Sequence, residues 1–453
     1  MEHQKQKKSF GQWIKTSLTI RMLMMGFLIL ILLIPLAYIK DLIQERAYRQ
    51  EEVVKEINQK WGNQVLLYGP ILKVPYLTHH ISKVWNEKLK TYETKDDITQ
   101  HNAYFFPDQL DIDATIESET LGRSIYESVV YTSDIQLKGT FKAPDFKTND
   151  IKEEDILWNK ATIILNSTNL KGIKSNLNLQ IGNNTYPLRS KFKKNAYMYT
   201  LETKFLNETD LPNSEKNTSF SLGIKINGSE ELSFIPIGSE TNVSMSSNWA
   251  SPSFNGEYLP NPKTKEISKD GFKASWKILE TNREFEQDFF GELPHISSSA
   301  FGVKLLIPVD EYQKSERAAK YGYLVISLTF LIFFLIQSIS NITIHPFQYL
   351  MIGLALSMFY TLLISISEHS SFLQAYVIAG AAVVLLIAIY SKTILKSTKF
   401  MLFIAVSLIA LYTFIFVIIQ LESYALLVGS IGLFLILGTI MMVSRRIEWN
   451  KEA

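Results

Sequence analysis

The sharpest chemical pair in the sequence is Glu368-His369. A carboxylate beside an imidazole that titrates near neutral pH can relay a proton or hold an ion. The pair stands at the end of a long apolar run, where ionisable groups are costly and often functional. It also suits a polar cap, exposed to water or hydrogen-bonded to a neighbouring helix. His345-Pro346 opens the same run. Proline fits a first helical turn because its missing N–H costs nothing there, so His345 reads first as a marker of the helix start. The two histidines are then roughly 36 Å apart, at about 1.5 Å per residue, and cannot share a metal. Glu316, Arg317 and Lys320 precede another apolar run. Long basic side chains there anchor at lipid headgroups, or Arg317 couples the run to what comes before it. His79-His80 and His101 lack metal-ligand spacing and read as surface histidines. Trp249, with Pro252 and Phe254, offers a stacking plane for a sugar or peptide, or a buried ring at a strand end.

None of these residues completes a catalytic constellation. There is no GxSxG, HExxH or P-loop pattern. The chain has no cysteine, which excludes disulfides, thiolate nucleophiles and Cys-ligated metals. No catalytic, cofactor-binding or metal-binding residue is assigned, and a non-enzymatic protein without cofactors is expected. The net charge of +2 argues against a nucleic-acid partner.

The elements that carry these residues are of two kinds. Mean hydropathy is +0.05, which is an average of unlike parts. Residues 321–443 contain only five charged side chains, Glu368, Lys392, Lys396, Lys399 and Glu422. A helix crossing a ~30 Å hydrocarbon core needs about 20 mostly apolar residues. Six stretches meet that, near 22–39, 321–339, 349–366, 372–390, 400–420 and 424–443. The first exceeds a signal-peptide core and lacks a small-x-small cleavage site, so it reads as an uncleaved anchor.

Orientation follows the Lys/Arg bias near span ends. Lys5, Lys7, Lys8 and Lys15 place tail 1–21 inside the cell. The 391–399 loop and the tail 444–453, with Arg445, Arg446 and Lys451, then fall inside as well. Lys314, Arg317 and Lys320 disagree locally, but export of a long domain overrides such flanks. Both termini are expected in the cytoplasm and residues 40–318 outside.

Residues 41–61 continue the first span as a charged helix, with Val53, Ile57 and Trp61 on one stripe and Gly62 at its end. Beyond residue 65 the period becomes two. Leu177, Leu179 and Ile181 alternate before a Gly182-Asn183-Asn184 turn. Phe220, Leu222, Ile224 and Ile226 alternate before Asn227-Gly228, which favours a tight hairpin. Tyr197, Tyr199 and Leu201 behave alike, as do Ile135, Leu137 and Phe141. Short helical pieces are expected near 151–158 and 282–290. The pattern predicts a β-rich, antiparallel, sandwich-like domain between one transmembrane helix and a bundle of five.

The sequence resembles the CreD family of bacterial inner-membrane proteins, also called cell envelope integrity proteins. The resemblance runs through Ile34-Pro35-Leu36, Trp61-Gly62, Gly69-Pro70 and Val74-Pro75-Tyr76. It continues in Ser247-Asn248-Trp249, Gly271-Phe272, Arg283 and Tyr312-Gln313-Lys314. The most specific block is His345-Pro346, Gln348-Tyr349, Phe359-Tyr360 and Ser367-Glu368-His369. It implies a multi-pass inner-membrane protein with a periplasmic domain, connected with envelope stress. It carries over no catalytic residue. The expected partners are the lipid bilayer and an envelope component or protein in the periplasm. The alternative is a transporter or lipid-handling protein using Glu368, His369, Gln337 and Gln420.

Overall fold

The computed structural model describes residues 18–87, 90–191, 198–213, 216–307, 311–340, 342–421 and 424–445. Lys5, Lys7, Lys8, Lys15, Tyr197, Glu422, Arg446 and Lys451 lie outside the described residues. The chain forms two compact units, 1–52 with 309–453 and 53–308. Both boundaries lie inside the segment 40–318 expected from sequence.

In hydrocarbon every backbone polar group must be paired within its own segment, so each apolar run is a helix. The helices are α1 (Leu18–Trp61), α2 (Glu311–Lys320), α3 (Gly322–Ser340), α4 (Pro346–Ser367), α5 (Phe372–Leu395), α6 (Thr398–Gln420) and α7 (Ala425–Ser444). Among the described residues, all but α2 are long and apolar enough to cross a membrane. Met25, Leu28, Leu32 and Leu36 form the inward stripe of α1, while Leu23, Phe27, Leu30 and Ile34 face out. Leu32 lies on Gly353 of α4, where any Cβ would overlap its Cδ1. Leu36 lies on Gly322, where a Cβ would stand 2.8 Å from its Cδ2. The short α2 buries Tyr312, Ser315 and Ala318 at a spacing of three. No residue of α7 is buried.

The second unit is two sheets. Its first strands are β1 (Val65–Asn86), β2 (Thr91–Phe105), β3 (Gln109–Arg123), β4 (Tyr126–Phe141), β5 (Thr162–Ser167) and β6 (Asn178–Ile181). Next come β7 (Asn184–Pro187), β8 (Arg189–Lys191), β9 (Tyr199–Glu202), β10 (Thr218–Ser229), β11 (Glu231–Phe234) and β12 (Glu240–Ser247). The last are β13 (Pro252–Gly256), β14 (Glu266–Ser268), β15 (Gly271–Leu279), β16 (Asp288–Phe290) and β17 (Phe301–Leu305). One sheet runs β13-β17-β11-β1-β5-β9-β8, with β2 on β1 and β16 on β2; the other runs β14-β15-β12-β3-β4-β10-β6-β7. Leu67, Phe234 and Val303 of the first share one core with Ile112, Leu137 and Ile224 of the second. Each such burial contributes about 1.5–3 kcal/mol, the support that a cysteine-free domain relies on.

Three local expectations change. The sheets are not wholly antiparallel: β1–β11 and β3–β12 are parallel pairs, made possible by the long connections between those strands. Asn227-Gly228 does not turn a hairpin. It lies inside β10, and the chain crosses to the other sheet at Glu230, with φ 61°. Gly228 is needed instead because the Tyr131 ring occupies the space of a Cβ. The helical pieces are single 3-10 turns, Glu153–Asp155, Trp158–Lys160 and Glu280–Asn282, and β16 takes the end of the second piece. The expected Gly182 turn does join β6 to β7, with φ 55°.

The last turns of α1 belong to this unit. Asn58, 7% exposed, accepts from Ser128 Oγ at 2.6 Å and donates to Glu230 Oε1 at 2.9 Å. Gln64 donates to the other Glu230 oxygen at 3.1 Å. A left-handed conformation is unfavourable for glutamate, and these bonds hold it at the crossover. Trp61 Nε1 donates to Tyr131 O at 3.2 Å. Replacing Asn58→Ala strands the buried Ser128 hydroxyl and leaves Glu230 held by Gln64 alone, for an expected loss of about 2 kcal/mol. Urea unfolding of the full chain, followed by tryptophan fluorescence, checks it; an unchanged midpoint contradicts the assignment.

Candidate functional site

Glu368 follows the last residue of α4, and its N–H donates to Ile364 O at 3.2 Å. Its side chain is 16% exposed and lies 3.7 Å from Arg46 Nη1 of α1. Tyr312 Oη of α2 approaches the same oxygen at 3.5 Å, the long limit of a hydrogen bond. A carboxylate is thus flanked by a guanidinium and a phenol from three separate elements. His369 is exposed and its side chain makes no hydrogen bond among the described residues. The neighbours in sequence therefore diverge, and Glu368 pairs with arginine instead of histidine.

His345 caps α4. Its Nδ1 accepts from Phe347 N–H at 3.2 Å, and Gln348 Oε1 accepts from His345 N–H at 2.9 Å. This reciprocal capping box satisfies helix-start donors and occupies the Nδ1 lone pair. Arg317 is half-buried on α2 and has no ion pair among the described residues, whereas Lys320 pairs with Glu316 at 3.3 Å. Gln337, buried on α3, accepts from Tyr349 Oη at 2.9 Å.

In the β unit, Trp249 packs against the core edge and donates from Nε1 to Leu306 O at 3.0 Å. It pins the chain just past β17. Its neighbour Asn248 bonds both backbone groups of Ser118, at 2.8 and 3.0 Å, in the manner of an added strand. Arg283 is a buried cation with no ion-paired carboxylate among the described residues. It donates to Ile237 O at 3.0 Å and to Gln287, and lies 4.6 Å from the Phe285 ring centroid. Burial pushes its pKa down to about 10, so it stays charged at neutral pH.

Among the described residues no group of three His, Asp or Glu is placed to hold a metal. His79 nevertheless has two carboxylates, Asp96 at 2.6 Å from Nδ1 and Asp155 at 3.0 Å from Nε2. Sequence reading gave neither a role, and gave none to Arg46 or Tyr312. Arg46 did carry a signal, since it continues the α1 stripe of Leu32, Leu36 and Ile43 at helical spacing. Asp96 and Asp155 carried none.

Arg46 is half-exposed, so its pair with Glu368 contributes modestly. Arg46→Gln and Glu368→Gln should each cost about 0.5–1 kcal/mol, and the double variant little more than either. Unfolding midpoints of the full chain test this; strictly additive losses would refute the pairing. His79 gives a pH signature. Its hydrogen bonds to Asp96 and then Asp155 raise its pKa above the usual 6.5. A raised folded pKa gives stability that is complete below the unfolded value and fades as pH rises through the folded one. The melting temperature should fall more for His79→Gln at about pH 6 than at about pH 9. Equal losses at both pH values would refute the charged pairing of His79 with Asp96 and Asp155.

The model of the family described as "Inner membrane protein CreD" matches residues 17–450. A curated relative of that description from Escherichia coli (strain K12) is 29% identical over 433 residues, covering 93% of this chain and 91% of the relative. Among the described residues, six membrane-length helices, one before the β unit and five after it, agree with that match. The chain belongs to the CreD family of multi-pass inner-membrane proteins.

Proposed function

We propose that this is a non-enzymatic protein of envelope integrity or envelope-stress response. Its β unit lies in the periplasm, both termini lie in the cytoplasm, and the β unit binds or senses an envelope component. The lysines of the 391–399 loop support the orientation.

The observation that carries the binding role is a ribbon. From Thr78↔Thr99 to Asn86↔Thr91, β1 and β2 pair with each other alone. Paired residues share a face, so Ile81, Trp85, Tyr92 and Ile98 fall on one side. Their exposures are 68%, 50%, 66% and 57%. The Trp85 and Tyr92 rings meet edge to face at 5.1 Å. His80, Asp97 and Lys95 occupy the other side. An isolated two-stranded ribbon is marginal in water; these four exposed apolar side chains, interleaved on that side with His79, Lys83, Thr94 and Asp96, offer it an amphipathic interaction surface. A partner that covers this face stabilises the ribbon and gains the apolar contact.

Transport draws on Gln337, Glu368, His369 and Gln420. Gln337 and Glu368 have partners of their own at opposite ends of α4, and no observation favours that reading.

The test uses a strain lacking the chain under envelope stress. The full chain should restore tolerance, and the variant Ile81→Ser, Trp85→Ser, Tyr92→Ser should not, with membrane insertion and unfolding midpoint unchanged. Full rescue by the variant would sink the ribbon as the binding face. In the cysteine-free chain, Lys95→Cys should react with an impermeant maleimide in spheroplasts and Thr398→Cys only after permeabilisation. The reverse pattern would overturn the orientation.

A further inference from the structure

The helical unit holds a groove of about 830 Å³ between α3, α6 and α7. Its walls run from Leu328 to Ile339 on α3 and from Gly432 to Val443 on α7. These two walls are about 16 Å long at 1.5 Å per residue, about one leaflet of a ~30 Å hydrocarbon core; the α6 wall, from Lys399 at the mouth to Phe414, is about 22 Å. Toward mid-span the groove closes where the Phe414 ring of α6 fills the space beside Gly432. It opens at the end that carries Lys399, a lining residue.

The lining makes no demand for a polar ligand. Ser407 Oγ donates to Phe403 O at 2.8 Å and Thr439 Oγ1 to Leu435 O at 2.9 Å, so both hydroxyls are spent on their own helices. Away from Lys399, water finds only the acceptor lone pairs of these two hydroxyls there. The mouth is different. Besides Lys399, the same end of the bundle bears Lys396 at the end of α5 and Arg445 at the end of α7. A spanning helix from a second copy needs a groove through both leaflets, about twice this length. One leaflet of apolar wall under a cationic mouth fits the shape and charge of a single lipid.

We propose that the groove is a binding site for one anionic phospholipid, with an acyl chain between α3, α6 and α7 and the phosphate on Lys399. The site depends only on the membrane-spanning bundle, and stands whatever the β unit binds.

Electron spin resonance of chain-labelled lipids tests it, with the full chain in phosphatidylcholine bilayers. Labelled phosphatidylglycerol should be motionally restricted with about fivefold higher relative association than labelled phosphatidylcholine, the factor given by about 1 kcal/mol per lysine. Lys399→Gln should bring the ratio close to one, and Lys399→Arg should keep it. Ala410→Trp, which fills the groove, should remove the preference with Lys399 intact. Equal restriction of both lipids by the unaltered chain would overturn the proposal, as would an unchanged preference in Lys399→Gln. Spontaneous disulfide dimers of Ile436→Cys would overturn it too, because a second copy would then occupy the groove.

Discussion

The join between α1 and the helices that follow the β unit depends on the seating of Leu32 against Gly353. Lipid tails are as apolar as leucine, so burying Leu32 against another helix gains little from the hydrophobic effect. What holds α1 to α3 and α4 is close contact between surfaces that fit. Glycine at 353 supplies the fit, since any Cβ there would overlap Leu32. Gly322 does the same for Leu36. These contacts join a helix that precedes the β unit to helices that follow it, so membrane segments distant in sequence make one packed body. Arg46 extends the same stripe and meets Glu368, adding an electrostatic contact where the packing contacts end.

The β unit solves another problem. It has no disulfides, and its sheets must exchange chain. The crossover at Glu230 places a glutamate in a backbone region that favours glycine. Glycine would fit the φ angle but would lose the carboxylate that Asn58 and Gln64 hold. The strain is offset by hydrogen bonds from residues at and just beyond the end of α1. The helix end is therefore part of the fold of this unit, which is why Asn58 is buried in a segment that otherwise reads as a charged, solvated helix.

Six spans and the alternating strands were legible because burial leaves a period in the sequence. Phe220, Leu222, Ile224 and Ile226 declare a strand and its inward face without reference to any partner. The same period is silent about which strand lies alongside. It does not distinguish the parallel β3–β12 pair from an antiparallel one. It also let Asn227-Gly228 pass as a turn, when Gly228 answers to the distant Tyr131. Chemistry was least legible for the same reason. His345 was readable as a cap because its partners lie within three residues. The partners of Glu368 and His79 come from other elements, and no local rule reaches them.

Exposure means opposite things in the two units. Along α7 no residue is buried, and in a membrane that is the ordinary state of a lipid-facing helix. Ile81, Trp85, Tyr92 and Ile98 are exposed to a similar degree, but their unit carries the charges and the polar outer sheet faces of a water-borne domain. The hydrophobic effect opposes the second exposure and is indifferent to the first. The groove beside Lys399 follows the same logic at finer scale. Its apolar walls alone would be ordinary in lipid, and only the cationic mouth and one-leaflet length turn them into a site with a preferred occupant.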